Sequence, residues 1–188
     1  LAGRRKLLDA DRYIRSGDWE TKGNFEYVHN VHSSKIGILG LGSIGLEIAN
    51  RCKAFKMDIA YHQRTKRSES NFKFYESLID MAEDCEILVA IIPGGETTEK
   101  IIDERVIEAI GPTGLLVNVA RGTVVDNEAL ARCLKDGRLG GAALDVFPNE
   151  PTVPKSLLEI DANLILTPHM ASATHLTRMR MGMILCDN

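Results

Sequence analysis

Lys35-Ile36-Gly37-Ile38-Leu39-Gly40-Leu41-Gly42-Ser43-Ile44-Gly45 runs from a short apolar segment into G-x-G-x-x-G and out into a helical pattern. In a strand–turn–helix unit each glycine has its own task. Gly40 makes the tight turn, Gly42 lets backbone approach a pyrophosphate, and Gly45 lets the helix pack closely on its strand. The phosphates would then sit at the helix N-terminus, where unpaired amides and the helix dipole favour negative charge. Ile44, Ile48, Cys52 and Phe55, spaced four, four and three apart, put apolar groups on one face of that helix. The other reading of the motif is a turn that needs glycine only for positive φ.

Working outward, strand-like runs recur at 36–39, 58–61, 87–92, 115–119, 140–144 and 164–166. Most are continuously apolar rather than alternating, as expected of strands buried on both faces. Helical patterns fill the gaps at 43–55, 76–83, 103–110, 126–136 and 173–186, with Asp126 as an N-cap and Gly137 as a stop. Alternating strands and helices with short connectors predict an α/β fold, a doubly wound Rossmann-type parallel sheet. Residues 1–34 read as a flanking helix and polar connector, 35–172 as the dinucleotide-binding domain, and 173–188 as the start of a further helix. The chain opens at Leu1 inside one helical pattern and stops at Asn188 inside another, so it is expected to be one domain of a longer protein.

Composition excludes several classes of function. At 188 residues the chain can bury a sizeable core, with 44% hydrophobic and 26% charged residues as in ordinary globular domains. A net charge of −3 offers no electrostatic case for nucleic acid or a membrane surface. Cys52, Cys85, Cys133 and Cys186 lie far apart with no C-x-x-C pair. They read as isolated, mostly buried thiols in a reducing, cytoplasmic setting, with no metal site expected.

Ligands of such sheets gather at the C-terminal ends of the strands. Arg121 follows 115–119, Asp145 and then Glu150 follow 140–144, and His169 follows 164–166, behind a Pro168 that biases Thr167 to an extended shape. Taken singly, such an arginine is a salt-bridge partner, such a glutamate is solvated and such a histidine is a surface residue. At one sheet edge they fit together as chemistry. A guanidinium can bind a carboxylate in bidentate fashion and polarise an adjacent carbonyl. A carboxylate beside a histidine favours the protonated ring that a general acid needs. Reduction of a 2-oxo acid asks for that combination. Nothing in the contexts of His29, His32, His62 and His175 gives them such a role.

Four blocks carry a family likeness: Gly40-Leu-Gly-Ser-Ile-Gly45, Asn118-Val-Ala-Arg-Gly122, Gly140 through Phe147 with Glu150-Pro151, and Thr167-Pro-His169. In order and spacing they resemble the D-isomer-specific 2-hydroxyacid dehydrogenases over nearly the whole chain. The resemblance implies Arg121, Glu150 and His169 as the catalytic trio. It implies a cofactor site along Gly40, Gly42, Ser43, Ile44, Gly45, Ile92, Pro93, Thr98, Val119, Ala120, Arg121, Asp145, His169 and Ala171. The nicotinamide would lie near Ala120, Arg121 and Asp145, with Asp145 meeting the carboxamide or tuning the catalytic pair. It also implies a second lobe for substrate, absent here, and a homodimer formed through the opening helix and Trp19. Relatives that act as corepressors supply the competing reading, a dinucleotide-sensing binding module.

Two departures stand out. Where many relatives show Pro-Leu-Thr, this chain has Pro93-Gly94-Gly95, expected to reshape the cofactor-site wall. At the end of the second strand an NAD-linked enzyme offers Asp or Glu to the ribose hydroxyls. Here the chain reads His62-Gln63-Arg64-Thr65-Lys66-Arg67, with three cations and no carboxylate. Gln63, Arg64, Thr65 and Lys66 are therefore expected to hold a 2′-phosphate, making NADP(H) the preferred cofactor and NAD(H) a possible one, the other reading being a solvated basic loop. The pattern looks most like reductases of glyoxylate, hydroxypyruvate or aryl-pyruvates.

Overall fold

A computed structural model describes residues 1–186, with side chains through Ile184. Seven parallel strands form one sheet in the order β3-β2-β1-β4-β5-β6-β7. They are β1 (Lys35–Leu39), β2 (Asp58–His62), β3 (Lys73–Tyr75), β4 (Ile87–Ala90), β5 (Leu115–Asn118), β6 (Gly141–Leu144) and β7 (Leu164–Leu166). The helices are α1 (Leu7–Arg15), α2 (Asp18–Lys22), α3 (Ser43–Lys53), α4 (Leu78–Asp84), α5 (Glu104–Ile110), α6 (Asn127–Lys135), α7 (Lys155–Leu158) and α8 (His175–Cys186). This is the doubly wound Rossmann-type architecture. The strand order reverses beside β1, which is flanked by β2 and β4, and opens a crevice at their C-terminal ends.

The strand pleat sends alternate residues of β4 into two cores. Ile87 and Val89 join Ile36, Ile38 and α3's Ala49 on one face. Leu88 and Ala90 join Met81 of α4, Ile107 of α5 and Leu130 of α6 on the other. Burial on both faces is why these strands read as unbroken apolar runs. The caps follow the chemistry expected of short polar side chains: Ser77, Asp103 and Asp126 accept from the amides of Asp80, Val106 and Ala129 at 3.2, 3.0 and 3.1 Å. Gly137 lies just past α6 with φ 69°, as its reading as a stop requires.

Several expectations need correction. The apolar face expected of α3 packs only in part: Ile48 and Cys52 lie half-buried against the core, while Ile44 is 62% exposed and Phe55, past the end of the helix, 40% exposed. The sheet admits small side chains where the helix lies closest, so Gly45 and Ala49 are buried and Ile48 and Cys52 only partly so. β3 was absent from the expected elements because its three residues carry too little pattern, and pairing with β2 creates it. α2 forms within the expected polar connector, and α7 within the segment after Pro151. β4 stops at Ala90, two residues before the apolar run ends at Ile92. Cys85 and Cys133 are buried and Cys52 half-buried, all three as free thiols, and Cys186 lies outside the described side chains. Burial pushes the Cys85 thiol up to about 12.

The opening segment is tied beneath the sheet. Arg4 is buried, donates to Asn30 O at 3.0 Å and Thr113 O at 2.7 Å, and pairs with Glu86. Asn163 Nδ2 donates to Gly3 O at 2.9 Å. Beyond it, α1 buries no residue of its own. Among the described residues no helix is long and apolar enough to cross a membrane.

Candidate active site and cofactor cleft

The glycine turn is built as its spacing requires. Gly40 has φ 100°, where an L side chain is strained, and its amide donates to His62 O at 2.9 Å. A Cβ at Gly45 would collide with Gly40 O, so the first turn of α3 lies directly on the loop. Gly42 faces open space, leaving the start of α3 accessible. A cleft of about 540 Å³ opens there, and it gathers Gly40, Gly42, Gln63, Arg64, Ile92, Pro93 and Thr98 of the expected cofactor residues. Ser43 and Ile44 are exposed at the helix start beside it, and Gly45 lies buried beneath. Thr98 closes its rim by donating to Pro93 O at 2.9 Å and Gly95 O at 3.1 Å.

The cationic loop divides into two parts. Arg67 is committed to the fold: its guanidinium donates to Leu41 O at 3.0 Å and pairs with Glu69 at 3.3 Å. Gln63 accepts from the Leu41 amide at 3.0 Å and donates to Thr65 O at 2.7 Å, so it spans the turn and the loop. Thr65 and Lys66 are exposed beyond it. Among the described residues, the side chains of Arg64 and Lys66 have no ion pair and no hydrogen bond. His62 lines the same cleft, with Nδ1 donating to Tyr75 O at 2.9 Å. The sequence reading gave it no role. Its position as the last residue of β2, where this fold presents a side chain to the ribose, was the available signal.

At the other strand ends the chain forms a second cluster. Buried Asn118 at the end of β5 donates to Arg121 O and accepts from the Ala120 amide, both at 3.0 Å. This pins the backbone of Arg121, whose Nη1 donates to Ala120 O at 2.7 Å. Ala120 is itself buried, and Val119 half-buried. A Cβ on Gly122 would run into the backbone of Phe147 and Pro148, so the β5 and β6 loops are in close contact. In the latter loop Glu150 Oε1 accepts from the Phe147 amide at 2.9 Å, and Glu150 Oε2 lies 2.7 Å from His169 Nδ1. The His169 contact first, and then the Phe147 amide, hold the Glu150 carboxyl below its usual range. A carboxylate only accepts, so Nδ1 carries the proton of this bond and Nε2 is left for other chemistry.

Asp145 is buried, and its carboxylate serves the turn that carries His169. Thr167 Oγ1 donates at 2.6 Å, the Met170 amide at 2.9 Å and the Ala171 amide at 3.0 Å. His169 sits in this turn with φ 50°. Burial disfavours the Asp145 charge, but these hydrogen bonds outweigh it and the carboxyl is held below its usual range. Glu150 and His169 are thus in contact, and Arg121 stands at the neighbouring strand end without a direct bond to either.

An open glycine turn at a helix N-terminus and a cleft beside it, lined by the uncommitted Arg64 with Lys66 exposed in the same loop, fit a dinucleotide. The architecture is therefore that of a dinucleotide-binding lobe, with its ionisable residues at the carboxyl ends of the strands. Residues 1–171 match the D-isomer specific 2-hydroxyacid dehydrogenase, NAD binding domain, and the chain belongs to that family. It is 42% identical over 188 residues to a glyoxylate/hydroxypyruvate reductase A of Arabidopsis thaliana, covering 100% of this chain and 59% of the relative. To a hydroxyphenylpyruvate reductase of Plectranthus scutellarioides it is 40% identical, with the same coverage of 100% and 59%. An NADPH-dependent glyoxylate/hydroxypyruvate reductase from Sinorhizobium meliloti, solved with NADP and malonate, superposes with a TM-score of 0.91 at 42% identity, covering 100% of this chain and 59% of that one. The chain thus spans about 59% of the length of these relatives.

Proposed function

We propose that the protein to which this lobe belongs reduces a small 2-oxo acid of the glyoxylate, hydroxypyruvate or aryl-pyruvate class, with NADPH preferred over NADH. Residues 35–172 would be the cofactor lobe, with 1–34 and 173–188 leading towards a substrate lobe. The observation that carries the reading is the Glu150–His169 pair, with Nδ1 committed to the carboxylate and Nε2 available. In this assignment His169 Nε2 gives a proton to the substrate carbonyl oxygen as the carbonyl carbon is reduced. Glu150 fixes the ring and supports its charge. Arg121 binds the substrate carboxylate and polarises the adjacent carbonyl. Bound reduced nicotinamide supplies the hydride. The glycine turn and α3 amides would hold its pyrophosphate, and Arg64 and Lys66 its 2′-phosphate.

The relatives' names and the uncommitted Arg64 and Lys66 support this choice of substrate class and cofactor. Exposed Leu7, Leu8, Ile14 and Trp19 on the opening helices favour a homodimer. The free thiols favour a cytoplasmic setting. The test is turnover by the complete protein of glyoxylate, hydroxypyruvate and an aryl-pyruvate with each dinucleotide. His169→Gln should remove about 10²-fold or more of kcat while NADPH affinity holds. Retained turnover in that variant would overturn the general-acid assignment.

A further inference from the structure

Gly94 and Gly95 occupy their positions for different reasons. Gly95 has φ 147°, which side chains rarely adopt, and a Cβ there would face open space. Gly94 is outside the positive-φ residues, so its backbone would accept an L side chain. Space forbids one. A Cβ at Gly94 would stand 2.8 Å from Arg121 Cγ and 3.1 Å from Arg121 Cβ, with Thr123 Oγ1 at 3.8 Å. The aliphatic stem of Arg121 lies where a side chain at position 94 would go.

Neither backbone can readily yield. Asn118 holds Ala120 and Arg121 through two hydrogen bonds, and Gly122 is pressed against Phe147 and Pro148. On the facing loop, Thr98 Oγ1 ties Pro93 O and Gly95 O together. A larger residue at position 94 must therefore be accommodated by rotation of the Arg121 side chain, which carries the guanidinium away with it.

We propose that Gly94 is a positioning residue for Arg121: its missing side chain is the seat for the arginine stem and sets where the guanidinium meets a substrate carboxylate. This rests on the reading that Arg121 binds that carboxylate.

The test uses the complete enzyme with bound NADP(H) and oxalate, a dicarboxylate that cannot be reduced, as the binding probe. Gly94→Ala should weaken oxalate binding and raise KM for glyoxylate by about tenfold, with kcat changed less. NADPH affinity and Tm should stay near the parent values, which a general disruption of the loop would not allow. In an Arg121→Ala background, Gly94→Ala should have no further effect on oxalate binding, because the stem it displaces is gone. Parent-like oxalate binding by Gly94→Ala, or an undiminished penalty in the Arg121→Ala background, overturns the proposal while leaving the role of Arg121 intact. If Arg121→Ala alone binds oxalate as the parent does, the carboxylate reading itself fails and takes the proposal with it.

Discussion

Glu150 bridges two loops: one carboxylate oxygen takes the Phe147 amide at 2.9 Å and the other holds His169 Nδ1 at 2.7 Å. The backbone bond fixes the carboxylate, and the carboxylate fixes the ring. Glu150→Gln removes the charge and leaves an amide with two ways to face the ring. Its kcat should fall by about 10²-fold at pH 7 in the complete enzyme, with NADPH affinity retained, as read by steady-state kinetics and cofactor titration. Unchanged kcat would show that the pair is not catalytic.

Asp145 makes a prediction about acid stability. Its folded pKa is lowered, so its contribution is present above the unfolded carboxylate value of about 3.9 and is lost as pH falls through the folded value. Asp145→Asn keeps one acceptor oxygen and sets an NH₂ group against an amide donor of the 167–171 turn. It should destabilise by about 1–3 kcal/mol near neutral pH. The gap between parent and variant should close below the ordinary carboxylate range, as measured by denaturant unfolding across a pH series.

Arg64 and Lys66 can be distinguished from Arg67 by experiment. Neutralising the first two should weaken NADPH by about ten- to a hundredfold, flatten its salt dependence and leave NADH almost unchanged. Arg67→Ala should instead weaken both dinucleotides and lower Tm, because its partners are Leu41 O and Glu69. Calorimetric titration with each cofactor, beside thermal unfolding, reads both outcomes. Equal losses for NADPH and NADH in the Arg64/Lys66 variant would count against a 2′-phosphate site.

Gly45→Ala should be far more damaging than an alanine substitution on an open helix face. The added methyl collides with Gly40 O, a backbone atom held by the turn. Overpacking of this kind costs about 1–3 kcal/mol and should push α3 away from the loop. Both dinucleotides should then bind more weakly, as calorimetry would show. By contrast Gly42→Ala leaves the fold intact, since a Cβ there faces open space, and should affect binding alone.

Local chemistry carried much of this protein in its sequence. The glycine spacing, the buried apolar runs and the Asp126 cap are decided within a few residues, and they brought the sheet, its helices and the positions of Arg121, Glu150 and His169 with them. Tertiary structure decided the rest, because those outcomes depend on what a distant segment leaves available. The sheet chose Gly45 and Ala49 over Ile44 and Phe55, since closeness of packing matters more there than hydrophobicity. β3 exists because β2 offers it an edge. Arg67 is taken up by Leu41 O while Arg64 is not, although in sequence the two are cations of one loop. His62 became a wall of the cleft through its place at the end of β2. Gly94 faces the stem of Arg121 across two loops that only the folded sheet brings together.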